Sequence, residues 1–234
     1  MSYKTLLQLH RFLNLKAPLT GILLVTSLIF ISQTAFAQLP SYKIEVIVFE
    51  NLATNGWTEE YWPDNVETPN TQNSTSVFTR NQKPLWINKR NHSLANAARK
   101  LNKKGYRVIA HQAWSQVAYP KKNAPTVLIE NDQGKGSNLL GTVRLYKTRY
   151  AHVDFDLEFE RRIPGKVLQA FVQNQKIAND EIPTHWRFAL KESRKIKPGE
   201  LHYIDHPLFG VLVQITKKLT DNTEIKEASL TMLD

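Results

Sequence analysis

Cysteine is absent from the 234 residues. Disulfides, thiolate metal sites and cysteine nucleophiles are therefore excluded. Other absences narrow the chemistry further. There is no Gly-x-Ser-x-Gly turn, and no serine stands beside an evident base, which removes the usual serine-hydrolase arrangement. Neither His-Glu-x-x-His nor His-x-x-Glu-His occurs. The stretch Gly134-Lys135-Gly136 is too short for a phosphate-binding loop and lacks the following hydroxyl. There are no internal repeats, and beyond residue 37 no apolar run approaches the roughly 20 residues of a membrane-spanning helix.

What is present begins with charge. Lysine and arginine number 31 against 21 acidic residues, a net charge of +10 with a pI near 9.7, which favours an anionic partner or surface. Hydrophobic residues make up 41%, enough for one core. Residues 1–37 have the layout of a signal peptide: Lys4, Arg11 and Lys16 with no acidic residue, the apolar stretch "LTGILLVTSLIFI" at 19–31, and Ala35-Phe36-Ala37 as a small-x-small cleavage site. Removing them leaves a single domain from 38 to 234 with a charge of +7. Such a protein is expected to be soluble after cleavage and periplasmic, where the anionic polymers are cell wall and lipid head groups rather than nucleic acid.

Periodicity gives the fold class. In "YKIEVIVFE" (42–50) the second half is apolar on both faces, as in a strand covered on both sides. A long loop at about 51–92, rich in Asn and Thr, carries Trp57, Trp62 and Trp86. "SLANAARKLNKKG" (93–105) predicts a short helix with Ser93 as its cap, packed on the strand "YRVIAHQAW" (106–114). In "AHVDFDLEFER" Val153, Phe155, Leu157 and Phe159 alternate with Asp154, Asp156 and Glu158, a half-buried strand with an acidic outer face. Residues 163–183 read as an excursion around a short apolar helix. Lys197-Pro198-Gly199 predicts a type II turn joining 185–196 and 200–206 as a hairpin. Residues 208–215 fit helical and strand spacing almost equally. These elements make an α+β domain: about five strands, mostly antiparallel or mixed, covered by one or two helices.

The densest polar stretch is "GELHYIDHP" (199–207). His202 and His206 lie about 13 Å apart on a straight strand, too far to share a metal without a bend. Arg149, Arg194 and Lys195 are expected to meet Glu200 and Asp205 at the hairpin, with His152, His202 and Tyr203 hydrogen-bonding among them, a structural ionic cluster with no metal. Arg149, His152, Arg194, His202, Asp205 and His206 are also the candidate ligand-binding residues there.

Four stretches, "YKIEVIVFEN", "KGYRVIAHQAWSQ", "LLGTVRLYKTRYAHVDFDL" and "ESRKIKPGELHYIDHPLFGVLVQI", resemble the CsiV family of exported peptidoglycan-binding proteins needed for cell-shape integrity. Ala151 and Lys195 depart slightly from that pattern. The resemblance implies a non-catalytic binder without cofactors, with peptidoglycan as partner and a cell-wall synthesis protein or its activator as a second. Stem-peptide carboxylates would meet basic side chains, and sugar rings would stack on Trp57, Tyr61, Trp62 and Trp86. A metal-assisted wall hydrolase using His202 and His206, and an envelope scaffold binding another protein, are the alternatives.

Overall fold

The computed structural model describes residues 39–76, 84–131, 137–178 and 180–218, within the compact unit Leu39–Asp234. The expected leader with its cleavage site, residues 77–83 of the Asn/Thr-rich loop and Gly134–Gly136 fall outside the described residues.

Among the described residues the α+β class holds, with ten strands and two α-helices, and the strands divide into two sheets of five. The first sheet runs β3 (Leu85–Trp86), β4 (Tyr106–Val117), β1 (Ser41–Asn51), β10 (Phe209–Lys217), β9 (Leu201–Asp205). The second runs β2 (Ser74–Thr75), β5 (Thr126–Glu130), β6 (Ser137–Lys147), β7 (Ala151–Arg162), β8 (His185–Ile196). Only the β2–β5 pair is parallel. Helix α1 spans Ala95–Leu101 and α2 spans Leu168–Gln175.

The two sheets share one core. Ile44, Val46 and Val48 of β1 turn toward it, as do Val153, Phe155, Leu157 and Phe159 of β7, and all seven are essentially without solvent contact. Burying an aliphatic or aromatic side chain of this size stabilises by roughly 1.5–3 kcal/mol. Phe159 of the second sheet meets Phe209 of the first with ring centroids 5.2 Å apart. Strand β1 is apolar on its other face for a separate reason. Ile47 and Phe49 pack there against Leu94 and the half-buried Ala97, Ala98 and Leu101, so α1 covers the back of the first sheet. Helix α2 covers a different part of the core, where Phe171 meets Trp57 and Trp186 edge-on at 5.5 and 5.1 Å.

Two local expectations change, and one left open is resolved. Ser93 does not cap α1 with its hydroxyl. The carboxylate of Glu45, on the strand beneath, accepts from Ser93 N and Leu94 N at 2.8 Å each, and Ser93 Oγ accepts from Lys43 Nζ at 2.8 Å. The Lys197–Glu200 turn forms as expected, with Glu200 N donating to Lys197 O at 3.2 Å and Gly199 at φ +86°, but it closes no hairpin. Strand β8 pairs with β7 and β9 pairs with β10, so the turn carries the chain from one sheet to the other. Turn chemistry dictates a chain reversal, and the partner of each strand is set by which face must be buried. Of residues 208–215, left open by periodicity, 209–215 belong to strand β10, hydrogen-bonded between β1 and β9.

Candidate functional site

The outer face of the second sheet carries the most developed polar surface. The buried register of β7 forces Asp154 and Asp156 outward. Pairing then sets Asp154 between Arg144 and Ser193, and Asp156 between Thr142 and Lys191. Acid and base therefore sit side by side across three strands, the arrangement that stabilises neighbouring strand pairs. Beside them a groove of about 550 Å³ opens, walled by Asn70, Asn73 and Ser74 of the long loop and by Lys121 and Thr126.

Asp154 is its centre. The Lys121 ammonium lies 2.8 Å from Oδ2, and Ser193 Oγ donates to Oδ1 at 2.6 Å. Partial burial works against the charged carboxyl, but the hydrogen bonds from Lys121 and Ser193 outweigh it and hold the group below its usual range. Arg144 donates from Nε and Nη2 to Thr126 Oγ1 at 3.0 and 2.8 Å, which fixes its guanidinium at the groove wall. Lys191 reaches Asp156 at 3.9 Å and Glu67 at 3.6 Å, loose contacts that a ligand anion could displace. The groove thus offers cations, carboxylates, amides and hydroxyls within one depression, and among the described residues no imidazole lines it. It is built for hydrogen-bonding a polar ligand of mixed charge.

The residues singled out from the sequence are dispersed. Trp57 is fully buried and Trp62 is 7% exposed, so neither has a face open to a sugar. Trp86 is half-buried against Trp114, 5.9 Å away. Tyr61 is 65% exposed. The loop ends dock because Gln175 of α2 accepts from Trp62 N at 2.9 Å and donates to Glu60 O at 3.0 Å.

The expected ionic cluster does not assemble across the two sheets, and of its pairs His202 keeps Glu200, at 4.0 Å. Arg149 lies over the Tyr150 ring at 5.5 Å, and His152 stacks on Tyr146 at 5.2 Å. Arg194 pairs with Glu192 at 2.5 Å, its neighbour on β8. His202 Nε2 accepts from Lys197 N at 3.2 Å, while the exposed Asp205 accepts from Tyr203 OH. His206 turns into an aromatic setting, 5.2 Å from Trp62 and 4.5 Å from Phe209. The cause is topological: Arg149, His152 and Arg194 belong to the second sheet and its β6–β7 turn, while His202 and Asp205 belong to the first. Asp205→Ala is accordingly expected to change stability by less than about 1 kcal/mol in a thermal melt, as for other exposed partners. A large loss would mean that the cluster forms after all.

The groove residues Lys121, Thr126, Arg144, Asp154, Lys191 and Ser193 were missed because an acidic strand face reads as ordinary solvated surface. Their only signal is polar alternation on three strands, and it needs the register to be read together.

A family model described as "Peptidoglycan-binding protein, CsiV" matches residues 20–218, which takes in every strand and both helices described above. The chain belongs to the CsiV family. Neither the curated proteins nor the solved structures hold a significant match to it. CsiV membership makes this a chain of a peptidoglycan-binding family and points to an extracytoplasmic location, where peptidoglycan lies. No helix among the described residues is long and apolar enough to cross a membrane. The CsiV match includes both walls of the groove, from Asn70 to Ser193.

Proposed function

We propose that this chain is an exported, periplasmic, non-catalytic peptidoglycan-binding protein that supports wall assembly and cell shape, and that the groove on the second sheet holds the wall. The supporting observation is the mixed ladder of Arg144, Asp154, Ser193 and Lys191 in a 550 Å³ depression. Stem peptides carry carboxylates, amides and amines on adjacent units, and sugars carry hydroxyls. Lys121, Arg144 and Lys191 suit the first, and the aspartates suit the amines and hydroxyls. Tyr61, exposed in the same long loop, is the candidate for stacking on a sugar ring.

Pull-down with purified sacculi tests this. Binding is expected at low salt and should weaken as salt rises, since charges are screened within a Debye length of about 10 Å at 0.1 M. Lys121→Glu combined with Lys191→Glu, both exposed positions, should reduce binding at least about tenfold, because like charges then face the stem carboxylates. The muropeptide profile of the incubated wall should not change. Absence of binding at low salt would overturn the wall reading, unchanged binding by the double variant would overturn the groove, and release of muropeptides would favour the hydrolase.

A further inference from the structure

A second constellation lies away from the groove, on the helix-covered back of the first sheet. Glu45 of β1, His111 of β4 and His92 of the segment before α1 each place one donor atom within 4.8 Å of the others. Glu45 and His111 are diagonal neighbours on paired strands, since His111 stands opposite Ile47, two residues along from Glu45. His111 Nε2 lies 2.8 Å from Glu45 Oε1, and the two imidazole centroids are 4.4 Å apart.

We propose that Glu45, His92 and His111 form a binding site for a divalent transition-metal ion of the zinc type. Two imidazoles and one carboxylate are a donor set zinc accepts, with a fourth position left for water. Two of the three ligands, His92 and Glu45, have the supports of a metal site. Metal-bound histidines commonly donate their second ring N–H to a carbonyl, and ligating carboxylates are themselves hydrogen-bonded. His92 Nε2 is held at 3.2 Å by Ile87 O, leaving Nδ1 with its lone pair for a metal. Glu45 is gripped by two backbone N–H groups at 2.8 Å each.

The fit needs only small movements. Bonds of about 2.1 Å in a tetrahedral site hold donors about 3.4 Å apart. The 2.8 Å contact between His111 and Glu45 must therefore open slightly, and the widest separation, up to 4.8 Å, must close. His92 lies outside the regular strands, between the turn Lys89–Asn91 and α1, so its shift would disturb no strand pairing. Lys43 Nζ is the nearest competing cation, 3.3 Å from Glu45 Oε2, but Asn91 O and Ser93 Oγ hold it at 2.8 Å each on that side, leaving Oε1 to the ion. A purely structural reading, a helix cap strengthened by His111, gives His92 no part in holding Glu45.

The test is titration of Zn²⁺ alone into tag-free, chelator-treated protein against a chromophoric competitor, with thermal melts in parallel. One equivalent is expected per chain, with a rise in melting temperature on saturation. Loss of an outer-shell partner typically costs about 10–100-fold in metal affinity, so His92→Ala, which removes a ligand, should cost at least about 100-fold. His202→Ala should bind zinc like the parent. Failure of the parent chain to bind zinc, or unchanged affinity in His92→Ala, would overturn the proposal. Should His92→Ala not fold, Co²⁺ loaded into the parent gives the second readout. Tetrahedral visible bands uphold the site, and their absence with added Co²⁺ rejects it.

Discussion

Glu50→Gln should destabilise the fold by about 3–5 kcal/mol, the cost of leaving the buried Arg161 without its counterion. Glu50 has no solvent contact and stands between two arginines. Arg107 from the neighbouring β4 bonds Oε1 through Nε, and Arg161 from β7 brings Nε to 3.3 Å of Oε2. Arg161 also donates to Asn51 O at 2.7 Å and lies 5.8 Å over the Trp57 ring. Burial pulls the Arg161 guanidinium below its usual range, and the Glu50 charge works in the opposite direction. Glutamine keeps the shape but removes that charge. Urea denaturation should show the midpoint falling by about 1–2 M with little change in slope. Arg161→Met added to Glu50→Gln should recover part of the loss, since the stranded charge is then gone. A loss under about 1 kcal/mol would show that the arginines simply turn to solvent and that this tie between the sheets is dispensable.

Acid should weaken the metal-free protein in two stages. His206 is pulled down to about 4 by burial, with Asp205 opposing only weakly. Its Nδ1 accepts from Leu208 N at 3.2 Å, a role the protonated ring cannot fill. An unfolded histidine takes up its proton near pH 6.5, before the folded one does. This contribution is therefore complete above about 6.5 and is lost as pH falls toward 4, up to about 3 kcal/mol. His92, lowered by burial and by the neighbouring His111, adds to the same window. Glu45 acts lower down. Burial raises it, but hydrogen bonds from His111, Leu94 N and Ser93 N together with Lys43 bring it to about 2. Its contribution is present above about 4.5 and is lost as pH falls through 2, again by about 3 kcal/mol at most. Stability measured from pH 7.5 to 2.5 should show both stages. His206→Phe should flatten most of the upper one, and Glu45→Gln the lower. Persistence of the full upper stage in His206→Phe would remove His206 from the account.

Several elements were legible because one local cause dictated each. Strand β7 follows from four alternating apolar residues, β1 from apolar character on both faces, and α2 from the apolar run between two prolines. The Gly199 turn was readable for the same reason, since its φ of +86° suits glycine. What could not be read was anything decided by partners distant in sequence. Residues 209–215 are strand because β1 and β9 flank them, although their own spacing allowed a helix. The helix cap came from Glu45, 48 residues before Ser93, and a cap in trans leaves no local signature. The polar residues of 199–207 looked like a site because they are adjacent in sequence, yet Asp205 faces solvent while His206 faces Trp62. Those of the groove looked ordinary because they are scattered over β5 to β8.

The order of strands in the first sheet has a kinetic consequence. Strand β1 is made early and lies at the sheet's centre, bounded by β4 and by β10, with Tyr42 opposite Lys217. The β5–β8 meander of the second sheet, by contrast, joins neighbours in chain order. Closing a loop of that length carries an entropic cost before any contact rewards it, and folds dominated by such pairings form slowly. The meander is therefore the part that condenses first, while β1 waits with one edge open until the last strand arrives. If the chain is exported as proposed above, that delay has a use: the core does not lock around β1 before β10 is available to pair with it.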